Sequence, residues 1–186
     1  MIDDRQLADS LLKQYRAALE RLEQAVRLCP PEVWDARREN EPPFWQVAMH
    51  VLFYAHLYLC DSDRSPDARA NAELAMRQLG TPIENWSPEE LSRLAHILAG
   101  LLSPDFRPER VIPQPELIER AEAALVLCEK AAQRFHDGGA LSPSHMPWIP
   151  GTALDLFLYN LRHIEFHLGQ LVACLARHGS PRPQWR

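Results

Sequence analysis

The stretch TALDLFLYNLRHIEFHLGQLVACLARHG, residues 152–179, carries the signals of a single long helix. Thr152 followed by Asp155 is a variant of the capping box with which helices begin, and His178-Gly179 is typical of a helix end. Between these signals the apolar residues recur at helical spacing. They are Leu154, Phe157, Leu158, Leu161, Ile164, Leu168, Val172 and Leu175. The stretch therefore predicts a helix that packs this apolar stripe against a core.

The same spacing predicts three further main helices, at residues 4–28, 43–60 and 115–135. Glycine is scarce and no run shows the alternation of a strand. We therefore expect an all-α fold, a four-helix bundle. Residues 61–115 are interpreted as an insertion of short helices between the second and third main helices, and residues 179–186 as a tail.

Composition limits the classes of partner. The chain, residues 1–186, is long enough for one domain with a sizeable core. The net charge of −5 and the dispersed basic residues argue against nucleic acid, because phosphate binding depends on clustered lysine and arginine. No signal peptide is expected at the acidic N-terminus, and four cysteines without a C-x-x-C pair are typical of reduced thiols. We therefore expect a cytoplasmic protein.

Two histidines of the last helix, His163 and His167, share a sector that is neither apolar nor charged. The other members of this sector are Leu156, Asn160, Gln170 and Cys174. A solvent-facing sector would normally carry charge, so this one is predicted to turn inward. Two interpretations remain open, half of a metal site or a pair of partly exposed histidines where two helices meet. Glu165 points to the opposite side of the helix, which excludes the H-E-x-x-H arrangement of zincins.

His50 is the best candidate for a third ligand. It lies in the uncharged stretch of residues 42–60, which contains too many polar groups for a membrane span and is interpreted as a buried helix. An unpaired imidazole there would be costly to desolvate. His56 lies about 120° away around the helix and is predicted to be hydrogen-bonded within the core or at an interface instead. His145, before the last helix, has no motif to support a role.

The predicted pocket around these histidines is neutral and mixed in polarity. Its expected lining is Gln46, Tyr54, Asn160, Gln170 and Leu156, with Phe53 and Leu57 close by. Such a lining suits a small, partly apolar electrophile better than a phosphate or a polymer, which call for lysine, arginine or backbone amide nests.

Two segments together resemble the DinB/YfiT-like superfamily of bacterial four-helix proteins. They are PPFWQVAMHVLFYAHLYL at residues 42–59 and PWIPGTALDLFLYNLRHIEFHLGQL at residues 147–171. Members have one histidine in the second helix and an H-x-x-x-H pair in the last, typically followed by Gly-Gln. The resemblance covers about residues 7–59 and 116–176, and it leaves the insertion unmatched. Members often have an acid where this chain has His56, so the chain departs from the family pattern at that position.

The resemblance implies an up-down-down-up bundle whose metal triad falls on His50, His163 and His167. It implies a divalent metal, zinc or nickel before manganese or iron, and often a homodimer. Some relatives are transferases or isomerases that use a low-molecular-weight thiol such as mycothiol, bacillithiol or glutathione, and others resemble metal-dependent hydrolases.

Two classes of function follow from these observations. The first is a metalloenzyme in which three neutral imidazoles leave the metal its full charge, so that a bound water or thiol becomes the nucleophile. No catalytic side chain is assigned, and thiol transfer to a small electrophile is preferred over hydrolysis. The second is a non-enzymatic binding module with a structural metal, which a fourth position closed by Gln46, Tyr54 or Asn160 would favour.

Overall fold

Four long helices dominate the structure, a computed structural model that describes residues 3–59, 102, 111–144, 146 and 149–185. The elements are α1 (Asp4–Leu28), α2 (Pro31–Trp34), α3 (Phe44–Leu59), α4 (Gln114–His136), a 3₁₀ turn (Gly139–Leu141) and α5 (Ala153–Arg177). The all-α fold and the four main helices are confirmed, with ends within one residue of those predicted. The short α2 and the 3₁₀ turn were not predicted. The short helices predicted within residues 61–115 lie almost entirely outside the described residues.

Local sequence chemistry sets the helix ends. Thr152 Oγ1 accepts a hydrogen bond from the Asp155 amide, and the Asp155 carboxylate accepts one from the Thr152 amide, which completes the predicted capping box of α5. At the start of α3 the carbonyl of Pro43 accepts from the Gln46 amide at 3.0 Å. After α4 the chain turns at Gly138, whose φ of +84° lies in the left-handed region that favours glycine.

α1 and α4 run antiparallel, as their ion pairs demonstrate. Asp9, near the start of α1, contacts His136 at the end of α4 at 3.0 Å. Arg27, in the last turn of α1, contacts Glu122 near the start of α4 at 2.8 Å. These pairs are largely exposed, so they show how the two helices are aligned but contribute little to stability.

α3 is antiparallel to α5 and parallel to α4. Towards α5 its contacts join His50 to His163 and Tyr58 to Tyr159, and towards α4 they join His56 to Arg120 and Leu59 to Arg134. α5 in turn is parallel to α1, because Tyr15 contacts Phe157 and Arg21 contacts Glu165. With α1 up, the order is therefore up-down-down-up, with α1 opposite α3 and α4 opposite α5.

α3 is the buried helix of the bundle, since all of its residues from Phe44 to Leu59 are buried. This agrees with a sequence that is apolar on every side. No helix within the described part of the chain is both long enough and apolar enough to cross a membrane.

The buried face of α5 differs from the predicted apolar stripe. Leu158, assigned to the stripe, is 41% exposed, whereas Leu156, Asn160 and Leu171 are buried. The physical reason is that α5 packs against both α1 and α3. Its inner surface therefore extends into the sector that contains the histidines.

Candidate metal centre

α3 supplies His50 from the middle of its buried length. The side chain is 5% exposed, and its ring lies against that of Tyr54, one turn further along, with centroids 4.9 Å apart. The ring faces α5, where its Nε2 approaches His163. Every neighbouring position of α3 is also buried, so the ring is held in place by packing.

α5 supplies His163 and His167, which lie one turn apart on the same side of the helix. His167 is buried and His163 is partly buried. Their ring centroids are 4.5 Å apart. The inward turn predicted for this sector of α5 is therefore present at both histidines.

The three imidazoles meet between α3 and α5. His50 Nε2 lies 3.1 Å from His163 Nε2, and one possible ligand nitrogen from each of the three histidines lies within 4.8 Å of the other two. Two nitrogens that bind one tetrahedral zinc at about 2.0–2.1 Å are about 3.3 Å apart. The distance between His50 and His163 is thus close to that of two zinc ligands, and it also suits a hydrogen bond between two imidazoles. The cluster of His50, His163 and His167 could hold a metal ion.

Gln170 orients one of the three rings. Its Oε1 lies 2.8 Å from His167 Nδ1, and since an amide oxygen only accepts, Nδ1 carries the proton. The lone pair is then on Nε2, the nitrogen that is left for a metal. This is the outer contact that metal-binding histidines usually make. His163 Nδ1, by contrast, is buried and has no hydrogen-bond partner among the described residues.

Burial keeps the two α5 histidines of the cluster neutral. Desolvation, with a smaller contribution from His167, lowers the pKa of His163 to about 3. Desolvation also lowers the pKa of His167, and the hydrogen bond to Gln170 opposes that shift. Both rings are therefore uncharged at neutral pH, which is the protonation state that binds a metal.

The predicted lining residues occupy different places. Tyr54 lies beside the cluster, with its ring centroid 5.1 Å from that of His163, and burial raises the pKa of its phenol well above the usual value. Gln170 is largely exposed and contacts His167. Asn160 is fully buried and donates a hydrogen bond to the Ala55 carbonyl at 3.3 Å, towards the bundle interior.

The remaining predicted lining residues lie in the core. Gln46 is fully buried one turn before His50, and the apolar side chains of Phe53, Leu57 and Leu156 are at most 2% exposed. Whether these side chains line a pocket in solution stays a prediction.

Two acids of α5 lie away from the cluster. Glu165 pairs with Arg21 of α1 at 3.2 Å, and Asp155 is engaged in the capping box. Within the described residues, the cluster that could hold a metal consists of histidines alone. A bound divalent ion would thus keep its full positive charge there.

The other histidines make separate contacts. His56 is buried and its Nε2 donates to the Arg120 carbonyl of α4 at 2.7 Å, in agreement with the predicted core hydrogen bond. His136 pairs with Asp9, and His178 is exposed at the end of α5. His145 lies outside the described residues.

Sequence reasoning missed a cleft next to the cluster, between the start of α3 and the end of α5. Its walls include Val47, Leu171 and Cys174 as well as Gln170. Leu171 and Cys174 follow His167 at i+4 and i+7. The sequence feature that could have predicted the cleft is therefore the continuation of the histidine sector along α5.

A comparison with protein-family models agrees with this architecture. A model described as the DinB superfamily matches residues 14–171, a range that includes all three clustered histidines. No curated protein and no solved structure matches the chain. The matched range covers well over half of the sequence, and the chain therefore belongs to the DinB superfamily.

Proposed function

We propose that this protein is a metal-dependent enzyme for small molecules, with one divalent metal held by His50, His163 and His167. The observation that carries the proposal is the approach of three imidazoles from two helices, with one possible ligand nitrogen from each within 4.8 Å of the other two. Zinc or nickel is the first choice, because imidazole nitrogen suits both, and manganese or iron is second.

The donor set fits such a metal. Three histidine ligands with a further position left open is an arrangement typical of catalytic zinc, whereas structural sites are usually saturated by four protein ligands. The contact between Gln170 and His167 supplies the outer support that such sites have.

The metal would supply Lewis-acid chemistry that lowers the pKa of a water or thiol substrate. The chain's own residues bind and orient. Gln170 fixes the tautomer of His167, and the buried Tyr54 keeps its phenolic proton beside the cluster as a hydrogen-bond donor. Glu165 and Asp155 are engaged elsewhere, so neither is proposed as a general base.

Transfer of a thiol to a small, partly apolar electrophile is the reaction we favour. The residues around the cluster are neutral, which suits such a substrate better than a phosphate or a polymer. The thiol would be a low-molecular-weight compound. Its S–H bond would break, its sulfur would bond to the electrophilic carbon as the bond from that carbon to the leaving atom breaks, and the thiol proton would end on the leaving atom. The site of action would be the cytoplasm, with the protein as a monomer or a homodimer.

Two alternatives use the same cluster. Hydrolysis of an ester or amide needs only water in place of the thiol. A binding module with a structural metal is favoured by the closeness of Tyr54 to His50 and His163, because a phenol there can close the fourth position.

The test begins with protein purified without an affinity tag. We expect about one divalent metal per chain by elemental analysis, and metal-dependent turnover when a panel of low-molecular-weight thiols is offered a general electrophile. The His163→Ala variant should lack both properties. Bound metal without turnover by any thiol would overturn the transferase, and turnover of ester substrates instead would establish the hydrolase.

A further inference from the structure

A cleft of about 280 Å³ lies between the first turn of α3 and the last turns of α5, and we call it the α3–α5 cleft. Its apolar lining includes Phe44, Val47 and Leu171, all of which are buried in the protein core. Sites for small molecules typically measure about 300–1,000 Å³. At about 280 Å³ the α3–α5 cleft lies just below this range, so it suits a small organic group and is too small for a polymer.

The charge in the α3–α5 cleft is already neutralised. Glu41 and Arg177 are the charged residues among those that line it, and they pair with each other at 2.7 Å. An ionic ligand would have to compete with that pair, whereas an uncharged ligand would not. The lining thus favours an uncharged, mainly apolar ligand.

The α3–α5 cleft adjoins the histidine cluster through Gln170. This side chain lines the cleft, and its Oε1 accepts the hydrogen bond from His167 Nδ1. Val47 precedes His50 by about one turn, and Leu171 follows His167 by about one turn, so both cleft walls continue the helix surfaces that carry the cluster.

We propose that the α3–α5 cleft binds the uncharged, apolar part of the substrate and directs its reactive end towards His167. The assignment of the ligand as substrate rests on the proposed function, while the binding of an uncharged apolar molecule in this cleft does not. The experiment therefore measures binding in metal-free and in metal-loaded protein.

The probe is 4-fluorobenzyl alcohol, followed by fluorine NMR during titration. Ala173 lines the α3–α5 cleft and is exposed, so Ala173→Phe fills the cleft at little cost to the core. Ala176 is also exposed on α5 but does not line the cleft, which makes Ala176→Phe the matched control. We expect Ala173→Phe to weaken binding at least about tenfold, the loss of some 1.4 kcal/mol of contact energy, and Ala176→Phe to leave it within about twofold.

Three results would overturn binding in the α3–α5 cleft: no detectable binding to the wild-type protein, equal binding by Ala173→Phe, or an equal loss in both variants. The anion 4-fluorobenzoate tests the charge argument. We expect it to bind more weakly than the alcohol, and tighter binding of the benzoate would show that the cleft takes anions.

The position of the bound probe relative to the histidine cluster is tested with a paramagnetic metal bound in the cluster. In cobalt-loaded protein the fluorine signal of the bound probe should broaden strongly, and in zinc-loaded protein it should not. Binding without cobalt-specific broadening would overturn the placement beside His167. If the protein takes up no metal but still binds the probe in the variant-dependent way, the proposed function fails and the cleft assignment stands.

Discussion

α3 contains two buried histidines in different surroundings. His50 is 5% exposed and faces α5, where its Nε2 lies 3.1 Å from His163 Nε2. His56 is 4% exposed and faces α4, where its Nε2 donates to the Arg120 carbonyl. Burial is thus the same, and the helix opposite decides what each ring contacts. A histidine becomes a candidate ligand only where the facing helix brings further imidazoles to the same depth.

The two sides of α3 also differ in whether they leave a ring nitrogen available to a metal. A backbone carbonyl satisfies the ring N–H of a histidine that donates to it, as that of Arg120 does for His56. The imidazoles of the α3–α5 side instead direct nitrogen atoms towards one another, with no carboxylate in the cluster as the structure describes it. The following substitutions test whether metal binding depends on the α5 side of α3 and not on its α4 side.

Replacing His50 with Ala should have the largest effect. It removes a direct ligand, so metal affinity should fall by more than the roughly 100-fold that marks the loss of an outer contact. Isothermal titration of metal-free protein with zinc measures the change. Wild-type affinity in a folded His50→Ala protein would show that the triad is wrong.

Replacing Gln170 with Ala should lower metal affinity by about 10–100-fold, because the tautomer of His167 would no longer be fixed. The control is Gln133→Ala, an exposed glutamine of α4 whose amide contacts Asp137. If both variants bind zinc alike, Gln170 has no part in metal binding.

Acid should destabilise the metal-free protein through His163. Its pKa is about 3 in the folded state and 6.5 as the ordinary value, so the unfolded chain takes up the proton first as pH falls. Stability from this group is present above pH 6.5 and declines as pH falls through the window down to about 3. Between pH 7 and 5 the loss is about 2 kcal/mol.

Urea unfolding of metal-free protein at both pH values measures this loss. The His163→Asn variant removes the titrating group, so its stability should change less with pH than that of the wild-type protein. An identical pH dependence in the two proteins would contradict the assignment.

Replacing His56 with Gln should leave metal affinity unchanged and cost about 1 kcal/mol of unfolding free energy, because the hydrogen bond to the Arg120 carbonyl is altered and the metal cluster is not. Zinc titration and urea unfolding on the same sample separate the two effects. Loss of metal from a folded His56→Gln protein would mean that the ligand of α3 has been assigned to the wrong residue.

The smallest effect is expected for Glu165→Ala. Glu165 lies between the two histidines in sequence but pairs with Arg21 of α1, and its side chain is 40% exposed. Arg21 is only 13% exposed, so loss of the pair should lower the free energy of unfolding without a direct contact to the metal cluster being lost. Metal affinity should stay within about twofold, because a substitution that removes no contact to the cluster usually changes a free energy by no more than about 0.5 kcal/mol.

Some features could be predicted because their causes are local. The ends of α5 follow from Thr152 with Asp155 and from the glycine after His178. The proximity of His163 and His167 follows from helical periodicity alone. The capping interactions and the i, i+4 spacing involve neighbours within about one turn, so they can be predicted from the sequence of that helix alone.

Other features could not be predicted, because they depend on how helices distant in sequence pack together. The exposure of Leu158, which was assigned to the apolar stripe, and the burial of Leu171 reflect the simultaneous packing of α5 on α1 and α3. Asn160 donates to the Ala55 carbonyl, so part of the predicted lining is directed into the bundle. The α3–α5 cleft likewise exists only between two helix ends.

Apolar periodicity and capping residues alone indicated the four main helices, their ends and which histidines could share a face. The tertiary structure decided that His50, 113 residues from His163, meets it at 3.1 Å while His56 turns to α4. The reason is that periodicity assigns each side chain a direction around its own helix axis, whereas the depth and register of one helix against another are set by the packing of the whole core.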